Sequence, residues 1–460
     1  MATAYINKIG TAVPAYDVHH PFIDYGSSLL ASEREKRLFG AMAERSQIEH
    51  YYSFLQPNLT NIALGTRGFY QRERFPDTRQ RMQFFEGHAF DLAARALDDL
   101  GLDAFKDDVT HLITVTCTGF YARGLDVDIV ERFGLKPPVE RTILGFMGCY
   151  AAIPALKLAR HIVRSDPQAK VVIVNLELCT IHLQETEDIE QILCFLLWGD
   201  SCAASLVSAE ESGIELQSFH AVIPETWDQM AWRVGAFGFD MLLSGQVALS
   251  LARAIPRHVQ TMIDGRRLED ITLWALHPGG RSILDSIGQA LGLGDEALRH
   301  SREVLRRFGK MSSATLMFVE KSMLSVKSAS RLGCSMAFGP GLTAESMIFE
   351  VAAQPASWGH LGVSEEKRSG AASRSPCMSS TQDEIIGMIV KRIRAAPERV
   401  TLAANLDELG LESLDVIEMA FDIEERFNIE IPFNANNNTG PAFKTVGDVV
   451  VAVQRLIVSG

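Results

Sequence analysis

Cys149, in "TILGFMGCYAAIPALKLARHIV", is the first residue whose setting could do covalent chemistry. A β-rich run passes a Gly-x-x-Gly pair, and Cys149 then opens a helix with Ile153, Leu156 and Leu158 on or near one apolar stripe. A thiol at a helix N-terminus meets the positive end of the dipole, which favours thiolate, and backbone N–H groups there can cradle an oxyanion. A free cysteine also serves as a small buried hydrophobe, so both readings stand for Cys149. Cys179, Cys194, Cys202 and Cys334 lie in apolar or small-residue runs and read as core. His277, in "LWALHPGGRSILD", ends an apolar strand before Pro-Gly-Gly. That is a strand's C-terminal tip, where active-site residues of α/β proteins concentrate, although a lone histidine there can be structural. Lys310, in "RRFGKMSSATLMFVE", follows a Gly-led turn and precedes small hydroxyl residues that open an apolar run. Near the far end, Ser413 sits in "DELGLESLDVIE" at the start of a helix pattern, where serine caps well and a phosphodiester would meet positive N–H groups. From Asp407 to Glu430 nine acids face one base, Arg426. A plain acidic helix with a serine cap has the same pattern.

These residues need two kinds of scaffold. "HLITVTC" (111–117) and "KVVIVNLEL" (170–178) are nearly continuous in apolar character, as strands buried on both faces are, and "ITLWALH" (271–277) is a further strand. Helical periodicity runs through "GHAFDLAARALDDLG" (87–101) and "SILDSIGQALGL" (282–293). Strands alternating with helices predict an α/β protein with both sheet faces covered. From Ala352 to Thr381 the chain turns to Ala, Ser, Gly and Pro and reads as a flexible linker. Beyond it come three helix patterns, "DEIIGMIVKRIRAA" (383–396), "SLDVIEMAFDIEERF" (413–427) and "VGDVVVAVQRLI" (446–457), which predict a small all-α module. The boundaries read as 1–351, 352–381 and 382–460.

Composition narrows the function classes. A formal charge of −13 argues against nonspecific binding to nucleic acid or to an anionic membrane surface. The seven cysteines form no CxxC pair and suggest neither a disulfide framework nor a metal site. No apolar run has membrane-spanning length, and the start "MATAYINKIGTAVP" lacks a basic segment ahead of an apolar one, so the expected location is cytoplasmic.

Four stretches, "GFMGCYAA", "WALHPGGRSILD", "FGKMSSATLMF" and "AFGPGLTAE", fall in the order and spacing of type III polyketide synthases. The chain resembles that chalcone-synthase-like family over residues 4–351. "VTCTGFYARGLDVDIV" (115–130), "LELCTIHLQ" (176–184) and "MAWRVGAFGFDMLLSGQV" (230–247) look like its bacterial branch. The resemblance implies the thiolase-type fold, layered α/β/α/β/α, in a homodimer. It implies that Cys149 takes an acyl group from a thioester and that an enolate from a decarboxylated malonyl thioester then attacks it. His277 would hold the thiolate as an ion pair and donate to the thioester oxygen. Trp198 and Phe239 fall where the family places two aromatic gatekeepers. Lys310 stands where the family has an asparagine that helps polarise the thioester carbonyl.

"LGLESLDVIEM" resembles the acyl carrier protein signature, which implies a four-helix carrier domain. Ser413 would receive 4'-phosphopantetheine from coenzyme A through a phosphopantetheinyl transferase. A linker of about 30 residues spans on the order of 30 Å and holds such an arm at roughly millimolar effective concentration. The run "ERSQIEHYYSF" keeps Arg45, whereas Glu49, His50 and Tyr51 replace bases that meet coenzyme A phosphates in the family. That substitution points to delivery by the carrier. The expected function is polyketide extension on Cys149 with a carrier in cis. The alternative is a non-decarboxylating loading or transfer module, because Lys310 replaces the family asparagine.

Overall fold

The computed structural model describes residues 2–57, 68–223, 229–244, 246–324, 331–351, 378–393, 400–406, 409, 419–420, 422–424, 426–427, 429, 431 and 445–459. Contacts divide the chain into two compact units, Met1–Gln354 and Pro355–Gly460. The segment expected as a linker, 352–381, lies mainly outside the described residues, as do Cys377 and Ser413.

The first unit is built on strands β1 (Tyr5–Ala12), β2 (Tyr16–Asp17), β3 (Tyr52–Ser53), β4 (His111–Thr116), β5 (Glu140–Gly145), β6 (Val171–Leu178) and β7 (Asp200–Ser208). It continues through β8 (Ile214–Val222), β9 (Met230–Gly235), β10 (Gly238–Leu243), β11 (Leu273–Leu276), β12 (Arg331–Gly339) and β13 (Thr343–Val351). Among the described residues, nine of them form one mixed sheet in the order β11-β12-β13-β8-β1-β7-β6-β4-β5. β9 and β10 form a separate antiparallel ribbon, and β2 and β3 a second one. The helices are α1 (His19–Leu29), α2 (Glu33–Arg45), α3 (Thr78–Leu100), α4 (Leu125–Phe133), α5 (Ala152–Ser165) and α6 (Ile189–Leu196). After them come α7 (Val247–Met262), α8 (Arg281–Leu291), α9 (Asp295–Phe308) and α10 (Ala314–Leu324).

Side-chain alternation explains the layers. All eight residues of β6 are buried, so the strand has no solvent face. Val171 and Ile173 join one core with Ile153 and Leu156 of α5 and Leu316 and Val319 of α10. Val172 and Val174 point the other way and join Leu92 and Leu97 of α3 and Ile129 of α4. The period of two thus places one helix layer on each face of the strand. α3 is fixed at both ends. Asp77 and Gln80 form a reciprocal capping box at its start, and Gly101 ends it in the left-handed conformation, φ 78°.

The second unit carries α11 (Met378–Ile393) and α12 (Val446–Ser459). Ile385 and Ile389 of α11 share a core with Met419, Ile423 and Ile431 and with Val446, Val449 and Val453 of α12. Thr445 caps α12: its hydroxyl accepts from the Asp448 N–H (3.2 Å) while the Asp448 carboxylate accepts from the Thr445 N–H (2.9 Å). Among the described residues no helix is long and apolar enough to cross a membrane.

α3 lies directly on β1 at Gly10, where a Cβ would come within 2.2 Å of the Ala96 carbonyl oxygen and 2.3 Å of the Leu100 nitrogen. Both are backbone atoms of the helix and cannot rotate away. Gly10→Ala should therefore lower the unfolding free energy by about 3 kcal/mol, as overpacking does. The change would be read as a lower urea midpoint at unchanged slope.

Candidate functional site

Cys149 is presented by a tight turn at the end of β5. Phe146 and Gly148 both take positive φ, 61° and 80°. The Ala151 N–H then returns to the Gly148 carbonyl (3.0 Å), and α5 begins only at Ala152. Cys149 is therefore three residues ahead of the helix rather than at its first position, because the left-handed Gly148 uses one extra turn to change direction. The "GPG" loop after β12 closes over this turn. A Cβ on Gly148 would reach Pro340 Cδ at 2.3 Å, and one on Gly339 would reach the Tyr150 ring at 2.7 Å. The Gly148 N–H donates to the Cys117 thiol (2.9 Å), tying the turn to the end of β4.

Lys310 is placed by its backbone. Its N–H donates to the Leu197 carbonyl (2.5 Å) and its carbonyl accepts from Gly199 (2.9 Å), in a parallel bridge to Trp198. Gly309, at φ 66°, allows this approach, since a Cβ there would meet the Leu197 oxygen at 2.9 Å. Lys310 is 3% exposed, so its side chain does not reach solvent. His277 follows β11, with its N–H on the Met336 carbonyl (2.8 Å). The ring is 1% exposed, and neither nitrogen has a hydrogen-bond partner among the described residues. Burial first, and then the charge of Lys310, push His277 down to about 3. Both effects favour the neutral ring near pH 7 over the imidazolium that the resemblance implies.

Cys149, Lys310 and Trp198 line one cavity of about 30 Å³, together with Cys117, Thr118, Cys179 and Trp232. That is room for one or two water molecules. The β9–β10 ribbon supplies one wall. Trp232 faces Met241 across the ribbon, and both line the cavity. The Trp232 indole donates to the Cys117 carbonyl (2.8 Å) and meets Trp198 edge-on, 5.3 Å between centroids. Phe239 stands two pairs further along the ribbon and does not line the cavity. It is stacked on His182 at 4.3 Å and packs against Trp232 at 5.9 Å. His182 is itself held neutral, with Nε2 donating to the Thr118 carbonyl (2.7 Å) and Nδ1 accepting from the Phe239 N–H (3.1 Å). Burial pushes it down to about 3.

Two carboxylates lie behind the cavity. Glu177 accepts from the Ser313 hydroxyl (2.6 Å), the Cys117 N–H (2.9 Å) and the Thr118 hydroxyl (2.9 Å). Desolvation raises it above the usual carboxylate range, and those donors oppose the rise. Asp200 accepts from the Thr180 N–H and hydroxyl (2.8 Å each), and burial pushes it up to about 7.

Comparison with known proteins agrees with this arrangement. The family model for chalcone and stilbene synthases, N-terminal domain, matches residues 3–211, and that for the C-terminal domain matches residues 215–352. This chain belongs to the chalcone and stilbene synthase family. The model for a phosphopantetheine attachment site matches residues 383–436, so the family domain is joined to a carrier-type domain. The alpha-pyrone synthesis polyketide synthase-like protein Pks18 of Mycobacterium tuberculosis is 33% identical over 341 residues, 70% of this chain and 86% of that protein. Bisdemethoxycurcumin synthase of rice (Oryza sativa subsp. japonica) is 32% identical over 289 residues, 56% of this chain and 72% of that protein. The type III polyketide synthase domain of Steely1, from Dictyostelium, matches the fold with a TM-score of 0.67 at 24% identity. The match covers 76% of this chain and 100% of that one, and it shows the thiolase-type fold of the family.

Within this family site, Cys149, Lys310 and Trp198 converge on the cavity. His277 is near enough for the Lys310 charge to act on it, and Phe239 forms the backing of the aromatic wall. Cys179, read from the sequence as core, is buried yet lines the cavity. Cys117, Trp232, Glu177 and Ser313 had no assigned role. All four lie in stretches that carry the family likeness, which gave them no individual role.

The neutral histidines make stability depend on pH. Above pH 6.5 neither folded nor unfolded chain binds their protons. As pH falls from 6.5 toward 3, the unfolded chain takes up protons that folded His277 and His182 refuse, so stability falls. His277→Gln should show a smaller drop in urea midpoint between pH 7 and pH 5 than wild type. An equally large drop would assign the loss to other groups.

Proposed function

We propose that this protein is a polyketide synthase that condenses an acyl starter with malonyl thioester extenders on Cys149, assisted by its own carrier domain. The convergence of Cys149 and Lys310 on one water-poor cavity carries this reading. Cys149 attacks the starter thioester: its sulfur bonds the acyl carbon and the donor thiol departs. The extender's carboxylate then leaves as carbon dioxide, and the electrons form an enolate whose oxygen faces the Lys310 ammonium. Fixed charge in a dry site stabilises such an oxyanion more strongly than water does. Neutral His277 adds an N–H donor to the same oxygen. The enolate carbon attacks the acyl carbonyl and expels the Cys149 thiolate.

The attachment serine in this reading is Ser413, which lies outside the described residues. A phosphopantetheine there would supply a terminal thiol that carries acyl groups as thioesters. Carrier delivery suits the face where the end of α2 meets α8 and α9. Arg302 pairs with Asp285 (2.7 Å) and Asp295 (3.1 Å), Arg306 with Glu303 (2.8 Å) and Glu49, and Arg299 with Glu296. Cations engaged in this way are poorly disposed to hold the phosphates of free coenzyme A. The enzyme works as a homodimer in this reading, which suits β5: it ends the sheet and leaves Ile143 (55%) and Phe146 (37%) exposed.

Intact-protein mass spectrometry tests both sites after incubation with a phosphopantetheinyl transferase, coenzyme A and acyl thioesters. Wild type should gain a phosphopantetheine and Ser413→Ala should not. Cys149→Ala should lose acylation of the first 351 residues while Ser413 is still modified. Unchanged acylation of that region in Cys149→Ala would sink the proposal.

A further inference from the structure

A charge taken out of water needs a partner, and among the described residues around this cavity the buried carboxylates have theirs. Glu177 is held by Ser313, Thr118 and the Cys117 N–H, and Asp200 by Thr180. Lys310 differs. It is 3% exposed and lines the cavity beside Cys149, and its ammonium makes no hydrogen bond or ion pair with any described residue. Its charge acts on His277, Cys179 and Cys194, none of which carries an opposite charge. Among the described residues no carboxylate lines the cavity, and its other side chains are mainly thiol, indole, thioether and hydroxyl.

We propose that the acyl group taken up by Cys149 itself carries a free carboxylate, held against Lys310. The cavity then favours short carboxyacyl thioesters over neutral acyl thioesters of the same size as the unit attached to the enzyme. The proposal rests on Cys149 being the acylated nucleophile. In the loading step the Cys149 sulfur bonds the acyl carbon and the donor's carbon–sulfur bond breaks. The thiol proton of Cys149 passes to the departing thiol. Nothing is oxidised or reduced, and the carboxylate keeps its charge throughout. Without Lys310 the same carboxylate would enter a dry, apolar site unpaired.

The test is a competition for Cys149 in the full chain. Equal concentrations of isotopically labelled malonyl-coenzyme A and unlabelled isovaleryl-coenzyme A, a neutral acyl of the same heavy-atom count, are offered briefly. Peptide mapping then measures the two acyl groups on Cys149, with any labelled remainder left by decarboxylation counted as malonyl. Wild type should carry at least about tenfold more label, the equivalent of one charge-assisted hydrogen bond. Lys310→Met should bring the two within about twofold, and Lys310→Arg should keep the preference. Equal loading in wild type overturns the proposal whatever the variants do, as does a preference that survives Lys310→Met. Acylation of Cys149 by neither donor removes the reading of Cys149 as nucleophile, and this proposal with it.

Discussion

An ammonium buried beside a thiol, in a pocket with no counter-ion among the described residues, is the constraint that organises this site. Lys310 is buried because its backbone is fixed to Trp198 on both sides, so the side chain has no route to solvent. Electrostatic effects persist over longer distances in such surroundings than in water. Burial first, and then this charge, disfavour a cation on His277. In the family the resemblance predicts a histidine–cysteine ion pair, whereas here the fixed charge has moved to the position of the family asparagine. The histidine is left as a neutral hydrogen-bonding group. The carboxylates behind the cavity are satisfied by hydroxyl and N–H donors, which leaves Lys310 available to whatever anion the reaction brings or makes.

The scaffold serves this placement through backbone positions that tolerate no side chain. Gly148, Gly309 and Gly339 each sit where a Cβ would strike neighbouring atoms: Gly148 and Gly339 seat the Cys149 turn against the loop after β12, and Gly309 seats the Lys310 turn against Leu197 and Tyr51. Of the elements that lead to these turns, β12 is buried from Gly333 to Gly339, whereas β5 is an exposed edge strand and the Lys310 turn follows α9. The β9–β10 ribbon closes the cavity from outside the main sheet with Met230, Trp232 and Met241.

Much of this was legible in the sequence wherever the signal was local. Continuous apolar runs marked β4, β6 and β11, and helical periodicity marked α3, α8 and α12. Cys149 and His277 stood out because a strand end followed by glycine is a recognisable setting. Family likeness, rather than local physics, drew attention to Lys310 and Trp198. The start of α5 was read three residues early because periodicity does not register a left-handed glycine. Cys117, Trp232 and Glu177 carried no local signal of a site role because their roles depend on partners 31 to 136 positions away. Cys179 is a buried residue in an apolar stretch, and nothing in its neighbours distinguishes a cavity wall from a core.

Joining a carrier-type domain to such a synthase changes which encounters matter, since a tethered thioester competes with free ones through effective concentration rather than affinity. The central claim concerns what happens once a malonyl thioester meets Lys310. The most direct measurement is release of labelled carbon dioxide from carboxyl-labelled malonyl thioester by the full chain. Wild type should release it, and Lys310→Ala should slow the release by about a hundredfold, the cost of one lost oxyanion donor. A wild-type protein that acylates Cys149 yet releases no carbon dioxide would contradict condensation, and would leave a module that loads and passes acyl chains.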